Sequence, residues 1–409
     1  MTFRPAARLA AIRSFQVMDL VDRAQALERE GRDIVHMEVG EPDFPSAPPI
    51  LEAGARSIME GPTGYTSALG LPALREGIAA YYARWHGVDV PPERIVVTAG
   101  ATGALVLLAA LLVEPGDTVL MTDPCYPCNR YFPELVGGHA QTVPVGPDRD
   151  YQLDAELLAR HWGARTRGLL AASPANPTGG VLGRGTLVAL LEAVRERDGW
   201  AIIDEIYQGL TYPAELVPLP ARARHGQAGD DRVGTVLSLG LDPEAPCFVV
   251  NSFSKYFGMT GWRIGWLVAP HAAVGEIEKL AQNFYIAPST IGQHAALAAL
   301  SDPAMEVHET RRRAFCDRRN LLVAGLRDLG FGVARVPEGA FYVYARLPAH
   351  CEDSFAFCGR LLEHHGVAAT PGTDFGVHEA DRHVRFAYTA NIDRLRAALE
   401  RLAEAVAVS

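Results

Sequence analysis

Phe248-Val249-Val250-Asn251-Ser252-Phe253-Ser254-Lys255-Tyr256-Phe257-Gly258-Met259-Thr260-Gly261-Trp262-Arg263-Ile264-Gly265 is the most informative stretch of this chain. It opens as a short apolar strand, turns polar at Asn251 and Ser252, and then sets a lysine among hydroxyls and glycines, with an arginine eight residues on. A solvated surface run has no such make-up. A lysine is a nucleophile toward a carbonyl when its surroundings hold it in place, and hydroxyls with a guanidinium suit a phosphate. The competing reading is an ordinary exposed lysine in a turn, and the rest of the chain decides between the two.

Working outward, the strand-then-polar-turn arrangement recurs. Ile95-Val96-Val97 precedes a helix over 103–113, and Thr118-Val119-Leu120 precedes a turn. An apolar run over 169–172 leads into Pro174-Ala175-Asn176-Pro177-Thr178-Gly179, and a strand over 200–203 follows a helix over 187–197. Short apolar strands, each flanked by helices, predict an α/β fold with a mostly parallel sheet buried on both faces. Ligands of such sheets sit at the carboxyl ends of the strands, which is where these polar turns fall.

The two ends of the chain differ from this middle. An arginine-rich helix over 17–30 and a strand over 34–39 run into Gly40-Glu41-Pro42-Asp43-Phe44. Beyond about residue 300 the pattern is α+β: a basic helix over 306–326, a strand pair over 333–336 and 340–345, a helix over 355–365, a strand over 383–388 and a last helix from Ile392. The expected division is a large domain at 46–295 and a smaller one made of 1–45 with 296–409. Segment 213–246, rich in Pro, Gly and Arg, reads as a long surface loop. Arg311, Arg312, Arg313, Arg318 and Arg319 share a helix with Glu306, Glu309 and Asp317 and read as a solvated face.

Composition narrows the function classes. A net charge of −10 argues against a nucleic-acid or anionic-membrane surface. The uncharged run over 95–113 approaches the length of a membrane span, but Thr98-Ala99-Gly100-Ala101-Thr102-Gly103 in its middle reads as a strand end entering a helix. The N-terminus lacks a signal-peptide apolar core, so a soluble cytoplasmic protein is expected. Cys125 and Cys128 form one C-x-x-C, while Cys247, Cys316, Cys351 and Cys358 stand singly. No second pair follows at zinc-site spacing, so incidental thiols and no metal are expected.

Other motifs add chemistry. Ile202-Ile203-Asp204-Glu205-Ile206-Tyr207 ends an apolar strand in a carboxylate that is costly to bury without a positive partner. Asn176-Pro177-Thr178-Gly179 is by itself a turn. The small residues of Thr98-Ala99-Gly100-Ala101-Thr102-Gly103 let an anion approach helix-start N–H groups. Arg385, in Val384-Arg385-Phe386-Ala387, sits on an apolar strand where it needs a carboxylate, either structural or from a ligand.

In order along the chain, from about Arg8 to the last helix, these motifs resemble the fold-type-I pyridoxal-phosphate aminotransferases of class I/II. Ser-Phe-Ser-Lys followed by Gly-x-Arg-x-Gly is the most specific of them. The resemblance implies a seven-stranded, mostly parallel sheet in the large domain and pyridoxal 5'-phosphate as cofactor. It makes Lys255 the Schiff-base lysine, with Ser252 and Arg263 on the cofactor phosphate and Ser254 a secondary candidate there. Ala101 and Thr102 take the phosphate at the helix start, Tyr126 stacks on the ring, and Asp204 pairs with the ring nitrogen. Asn176 and Tyr207 meet the ring oxygen, Arg385 takes the α-carboxylate, and Gly40 contributes backbone to the substrate. Tyr65, in Gly64-Tyr65-Thr66, would reach the phosphate of a neighbouring subunit, which implies a homodimer with shared active sites.

The same resemblance implies transfer of an amino group from an L-amino acid to a 2-oxo acid by a ping-pong route. Relatives that use aspartate often carry a basic residue for the second carboxylate, and the positions that would supply it are uncharged here. These are Thr102, the run Gln282-Asn283-Phe284-Tyr285-Ile286-Ala287-Pro288, and Phe15 and Val17 near the entrance. Neutral or aromatic amino acids are therefore expected to be favoured over aspartate. A lyase or cyclase on the same scaffold and an aspartate aminotransferase remain as alternatives. A regulator with an aminotransferase-like sensor would need a DNA-binding domain before Gly40, where about forty residues leave no room.

Overall fold

The computed structural model describes residues 3–14, 16–61, 63–213, 234–351 and 353–407. A short strand β1 (Val35–His36) is followed by β2 (Ile95–Thr98), β3 (Thr118–Asp123), β4 (His139–Pro144), β5 (Thr166–Ala172), β6 (Trp200–Asp204), β7 (Cys247–Ser252) and β8 (Gly265–Val268). Strands β2 to β8 form one seven-stranded sheet in the order β2-β8-β7-β6-β5-β3-β4. Only β8 runs antiparallel to its neighbours within it. The α/β expectation holds.

Period-2 alternation explains why both faces are buried. Val97, Leu120, Leu169, Ile203, Val249 and Trp266 join one apolar cluster. Their sequence neighbours Val96, Val119, Leu170, Ile202, Val250 and Leu267 join a second. Each such side chain contributes about 1.5–3 kcal/mol by leaving water. The helix Gly100–Leu112 is apolar nearly all round, as a helix wedged between sheet and neighbouring helices must be.

The tail supplies β9 (Tyr342–Arg346), β10 (Val367–Ala368), β11 (Thr370–Pro371) and β12 (His383–Ala387). Strands β11-β12-β9 make an antiparallel sheet with Arg385 on its middle strand. Strand β1 pairs with β10, tying the N-terminal segment to the tail. The last helix, Ile392–Ala407, buries Leu395, Ala398, Leu402 and Ala405, one stripe at helical spacing.

Three expectations need correction. The 333–336 strand does not form: Gly332 makes only an isolated bridge to Arg346, and β9 pairs with β12 instead. The next donors are used elsewhere, with Glu338 and Gly339 N–H bonded to the Gly179 carbonyl and Ala340 N–H to that of Leu210. The arginine run is not a solvated face, because Arg312, Arg318 and Arg319 are buried. Arg312 pairs with Glu309 at 2.7 Å, Arg318 with Asp43 at 2.8 Å, and Arg319 donates to the carbonyls of Pro213 and Pro337. The Arg318 guanidinium also packs on the rings of Phe44 and Phe315 and that of Arg319 on Tyr212, so these two are held by π faces as well. Most of the expected 213–246 loop, residues 214–233, lies outside the described residues. Of its described end, Thr235 and Val236 are buried rather than on the surface, the Glu205 carboxylate accepting the Val236 N–H at 2.6 Å, while Asp242, Pro243 and Glu244 are exposed as expected. Among the described residues no helix is long and apolar enough to cross a membrane, and no cluster of metal-ligating side chains occurs.

Candidate active site

At the carboxyl ends of β3, β5, β6 and β7 lies a cavity of about 280 Å³. Gly40, Ala101, Thr102, Tyr126, Asn176, Asp204, Tyr207, Ser254, Lys255, Arg263 and Arg385 all line it, although they come from segments spread over 345 positions. Ser252 does not. It lies behind Ser254, with its hydroxyl 2.9 Å from that of Ser254 and donating to the Ile264 carbonyl at 3.1 Å. Tyr65 is 82% exposed and does not line this cavity. Phe15 lies outside the described residues, while Val17 does reach the cavity wall.

Lys255 follows β7 by three residues and points its ammonium at the Gly40 carbonyl, 2.6 Å away. Burial pushes its amine down to about 8, and Arg385 and Arg263 act in the same direction against the opposing pull of Glu41. A substantial fraction of the amine is therefore neutral near pH 8. Asp204 ends β6, buried, with Oδ1 accepting the Ile206 N–H at 3.0 Å. Burial lifts its carboxyl to about 6, and among the described residues no cation pairs with it. An anion kept this way is completed by a positive ligand group.

Arg385 is the converse case. Its guanidinium donates to Asn176 Oδ1 at 3.0 Å, to the Glu38 carbonyl and to Thr370 Oγ1 at 3.3 Å. It packs on the rings of Tyr342 and Phe375, 4.3 and 4.6 Å from their centroids, and its Nε has no partner. No carboxylate of the described residues pairs with it, so the fork is available to one from a ligand. The Tyr207 hydroxyl meets that of Tyr342 at 2.8 Å, and burial holds both phenols above their usual range.

The helix Gly100–Leu112 presents its first turn to the cavity with no side-chain cap from Ala99, leaving N–H donors for an anion. Gly100 has φ +69°, and a Cβ there would come within 2.8 Å of Arg263 Nη2, so only glycine lets this turn and Arg263 meet. Gly40 is equally constrained, because its Cβ would fall 1.6 Å from the Tyr342 hydroxyl oxygen. The residues fit pyridoxal phosphate: an unpaired buried carboxylate for a ring cation, an amine beside it, and helix-start donors with Ser254 and Arg263 for a phosphate.

Sequence reasoning missed Tyr342 and Phe375. Both carried signals: Tyr342 lay in the expected 340–345 strand, and Phe375 in the turn-forming Pro371-Gly372-Thr373-Asp374-Phe375-Gly376. Neither signal says which distant side chain the ring will meet.

The family described as "Aminotransferase class I and II" matches residues 32–406. The valine–pyruvate aminotransferase of Mycobacterium tuberculosis is 35% identical over 98% of each chain. The aspartate/prephenate aminotransferase of Thermus thermophilus is 35% identical over 97% of each. The solved aspartate aminotransferase of Thermus thermophilus with maleate superposes with a TM-score of 0.88 at 33% identity, over 99% of this chain and 100% of that one. The seven-stranded sheet is thus that of the aspartate-aminotransferase-like fold. Matched over nearly its whole length and sharing the fold of a solved member, this chain belongs to the class I and II aminotransferases, enzymes that use pyridoxal phosphate.

Proposed function

We propose that this aminotransferase moves an amino group from an L-amino acid to a 2-oxo acid by a ping-pong route, favouring neutral or aromatic side chains over aspartate. The observation that carries the reading is the meeting of an amine, an unpaired carboxylate and an unpaired guanidinium in one cavity: Lys255, Asp204 and Arg385. Bound there, pyridoxal phosphate supplies a carbonyl and an electron-withdrawing ring. Lys255 Nζ would hold that carbonyl. Nζ would also be the atom that takes a proton from the substrate α-carbon and returns it, a task suited to an amine poised near pH 8. Asp204 would keep the ring nitrogen protonated, Asn176 and Tyr207 would serve the ring oxygen, and Tyr126 would pack on the ring. Ala101, Thr102, Ser254 and Arg263 hold the phosphate, with Ser252 orienting Ser254. Arg385 and Gly40 orient the α-carboxylate.

The cavity lining supports the substrate preference. Val17, Met18, Leu105 and Phe132 are apolar, and among the described residues the cations lining the cavity are Lys255, Arg263 and Arg385, each already assigned. A second substrate carboxylate would be buried unpaired, at a cost of several kcal/mol. The named relatives act on valine with pyruvate and on aspartate or prephenate, so they leave the preference open. The test is kcat/KM for aspartate against leucine, methionine, phenylalanine and alanine with one acceptor. Aspartate ahead by more than tenfold, about 1.4 kcal/mol, overturns the preference.

We also read the active enzyme as a homodimer. Tyr65 stands out from the surface on a segment whose Gly64 carbonyl accepts the Thr290 hydroxyl, and Ile58, Met59, Phe284 and Ile286 are exposed too. Mixing Lys255→Ala with a crippled Tyr65 variant should restore activity in the hybrid, because one of its two sites carries neither lesion. No recovery after verified subunit exchange contradicts shared sites.

A further inference from the structure

We propose that Asp123 is a positioning residue for the substrate-carboxylate end of the cavity, acting on Arg385 through the 374–378 segment. The proposal rests on the reading of Arg385 given above. Asp123 closes β3 and is buried, yet it does not line the cavity. Its carboxylate accepts the Val377 N–H at 3.0 and 3.2 Å and the His378 N–H at 3.3 Å. Between these donors and Phe375 lies Gly376, where a Cβ would fall 1.6 Å from Asp123 Oδ1. The carboxylate therefore occupies the space any larger residue at 376 would need.

The rest of the segment is held by main-chain bonds and ring packing. Phe375 follows a single short turn, Gly372–Asp374, and its ring is fully buried without a polar atom to orient it. Its place is set by main-chain bonds on both sides. The Phe375 carbonyl accepts the Cys125 N–H at 3.0 Å, the Asp374 carbonyl accepts Arg130 at 2.6 Å, and Asp123 takes the next N–H groups. An ionised acceptor makes the Asp123 bonds stronger than neutral ones. Phe375 in turn packs on the Arg385 guanidinium, which also bonds Asn176. A carboxylate of the large sheet thereby aligns a ring of the tail, and that ring limits how the fork can swing. A merely structural anchor would lower stability and cofactor affinity together. A positioning residue shifts the binding of carboxylate-bearing substrates first.

The experiment measures KM, kcat and cofactor dissociation constant for the holoenzyme and its Asp123→Ala, Asp123→Asn, Phe375→Leu and Asp123→Ala/Phe375→Leu variants. Asp123→Ala is expected to raise KM for the best amino acid at least tenfold, with kcat within threefold and cofactor affinity within twofold. Asp123→Asn, which keeps one acceptor oxygen, should recover part of the loss. Phe375→Leu should resemble Asp123→Ala, and the double variant should be no worse than the worse single one. Unchanged KM in both singles, effects that multiply, or a joint fall of kcat and cofactor affinity overturns the proposal. Should Asp123→Ala not fold, Asp123→Asn and Gly376→Ala carry the same comparison. Arg385→Lys separates the two levels. If it leaves KM unchanged, the reading of Arg385 fails; if it raises KM while the Asp123 and Phe375 variants are silent, only this inference fails.

Discussion

The two sides of the cavity hold their charges in opposite ways. On the sheet side, Asp204 and Lys255 stand at or just past strand ends, so the register of β6 and β7 places them directly. On the tail side, Arg385 belongs to a three-stranded sheet and is steadied by contacts from distant segments: Asn176, Glu38, Tyr342 and Phe375. Both leave a buried charge without an opposite charge among the described residues. Asp204 is an anion awaiting a cation, and Arg385 a cation awaiting an anion. The difference teaches that the Asp204–Lys255 side is built from strand register and the Arg385 side from packing.

The largest effect that could break this picture comes from Lys255. Lys255→Ala removes the only amine at the cavity among the described residues and should cost several orders of magnitude in turnover while cofactor still binds, as followed by absorbance. Asp204→Asn keeps the shape and removes the charge, with an expected loss of about 3–5 kcal/mol in kcat/KM. It also has a signature without cofactor. Because burial lifts the Asp204 carboxyl from 3.8 to about 6, its ionisation destabilises the cofactor-free fold above pH 6, and the cost fades below about pH 4. Asp204→Asn should therefore stabilise cofactor-free protein at pH 8, by up to about 3 kcal/mol, and change little at pH 4. A melting curve lowered by the substitution at pH 8 would mean that Asp204 already has a partner.

On the tail side the expected effects are smaller. Arg385→Lys keeps the charge but loses the fork, and should cost about 1.5–3 kcal/mol in kcat/KM, mainly through KM. A loss confined to kcat would place Arg385 away from the substrate carboxylate. Tyr342→Phe deletes one hydrogen bond to Tyr207, worth about 1 kcal/mol. If that loss exceeds the Arg385→Lys loss, packing is not what organises this side.

The same asymmetry explains how much could be read from the sequence. Strand-plus-turn motifs are local, so Asn176, Asp204 and Lys255 could be found beside their strands, and the α/β sheet followed from apolar runs. Tyr342 and Phe375 meet Arg385 from other elements, Tyr342 from the neighbouring strand β9 and Phe375 from just past the Gly372–Asp374 turn, and no local pattern encodes those ring contacts. The buried arginines were misread for a related reason. Arg318 and Arg319 sit on a helix whose charge pattern looks solvated, and only the packing of Phe44 and Tyr212 against it shows otherwise. Ser252 and Ser254 flank Phe253 in the motif, and only the turn geometry shows which hydroxyl faces the cavity.

The central claim, that this cavity holds pyridoxal phosphate on Lys255, has a direct test because the chain contains only two lysines, Lys255 and Lys279. Lys279 is exposed on the helix His271–Phe284 and paired with Glu276. Borohydride reduction of the yellow holoenzyme, followed by peptide mass mapping, should place the whole cofactor-sized mass increment on the peptide containing Lys255. An increment on Lys279, or none on either lysine in protein that carries stoichiometric cofactor, would contradict the account.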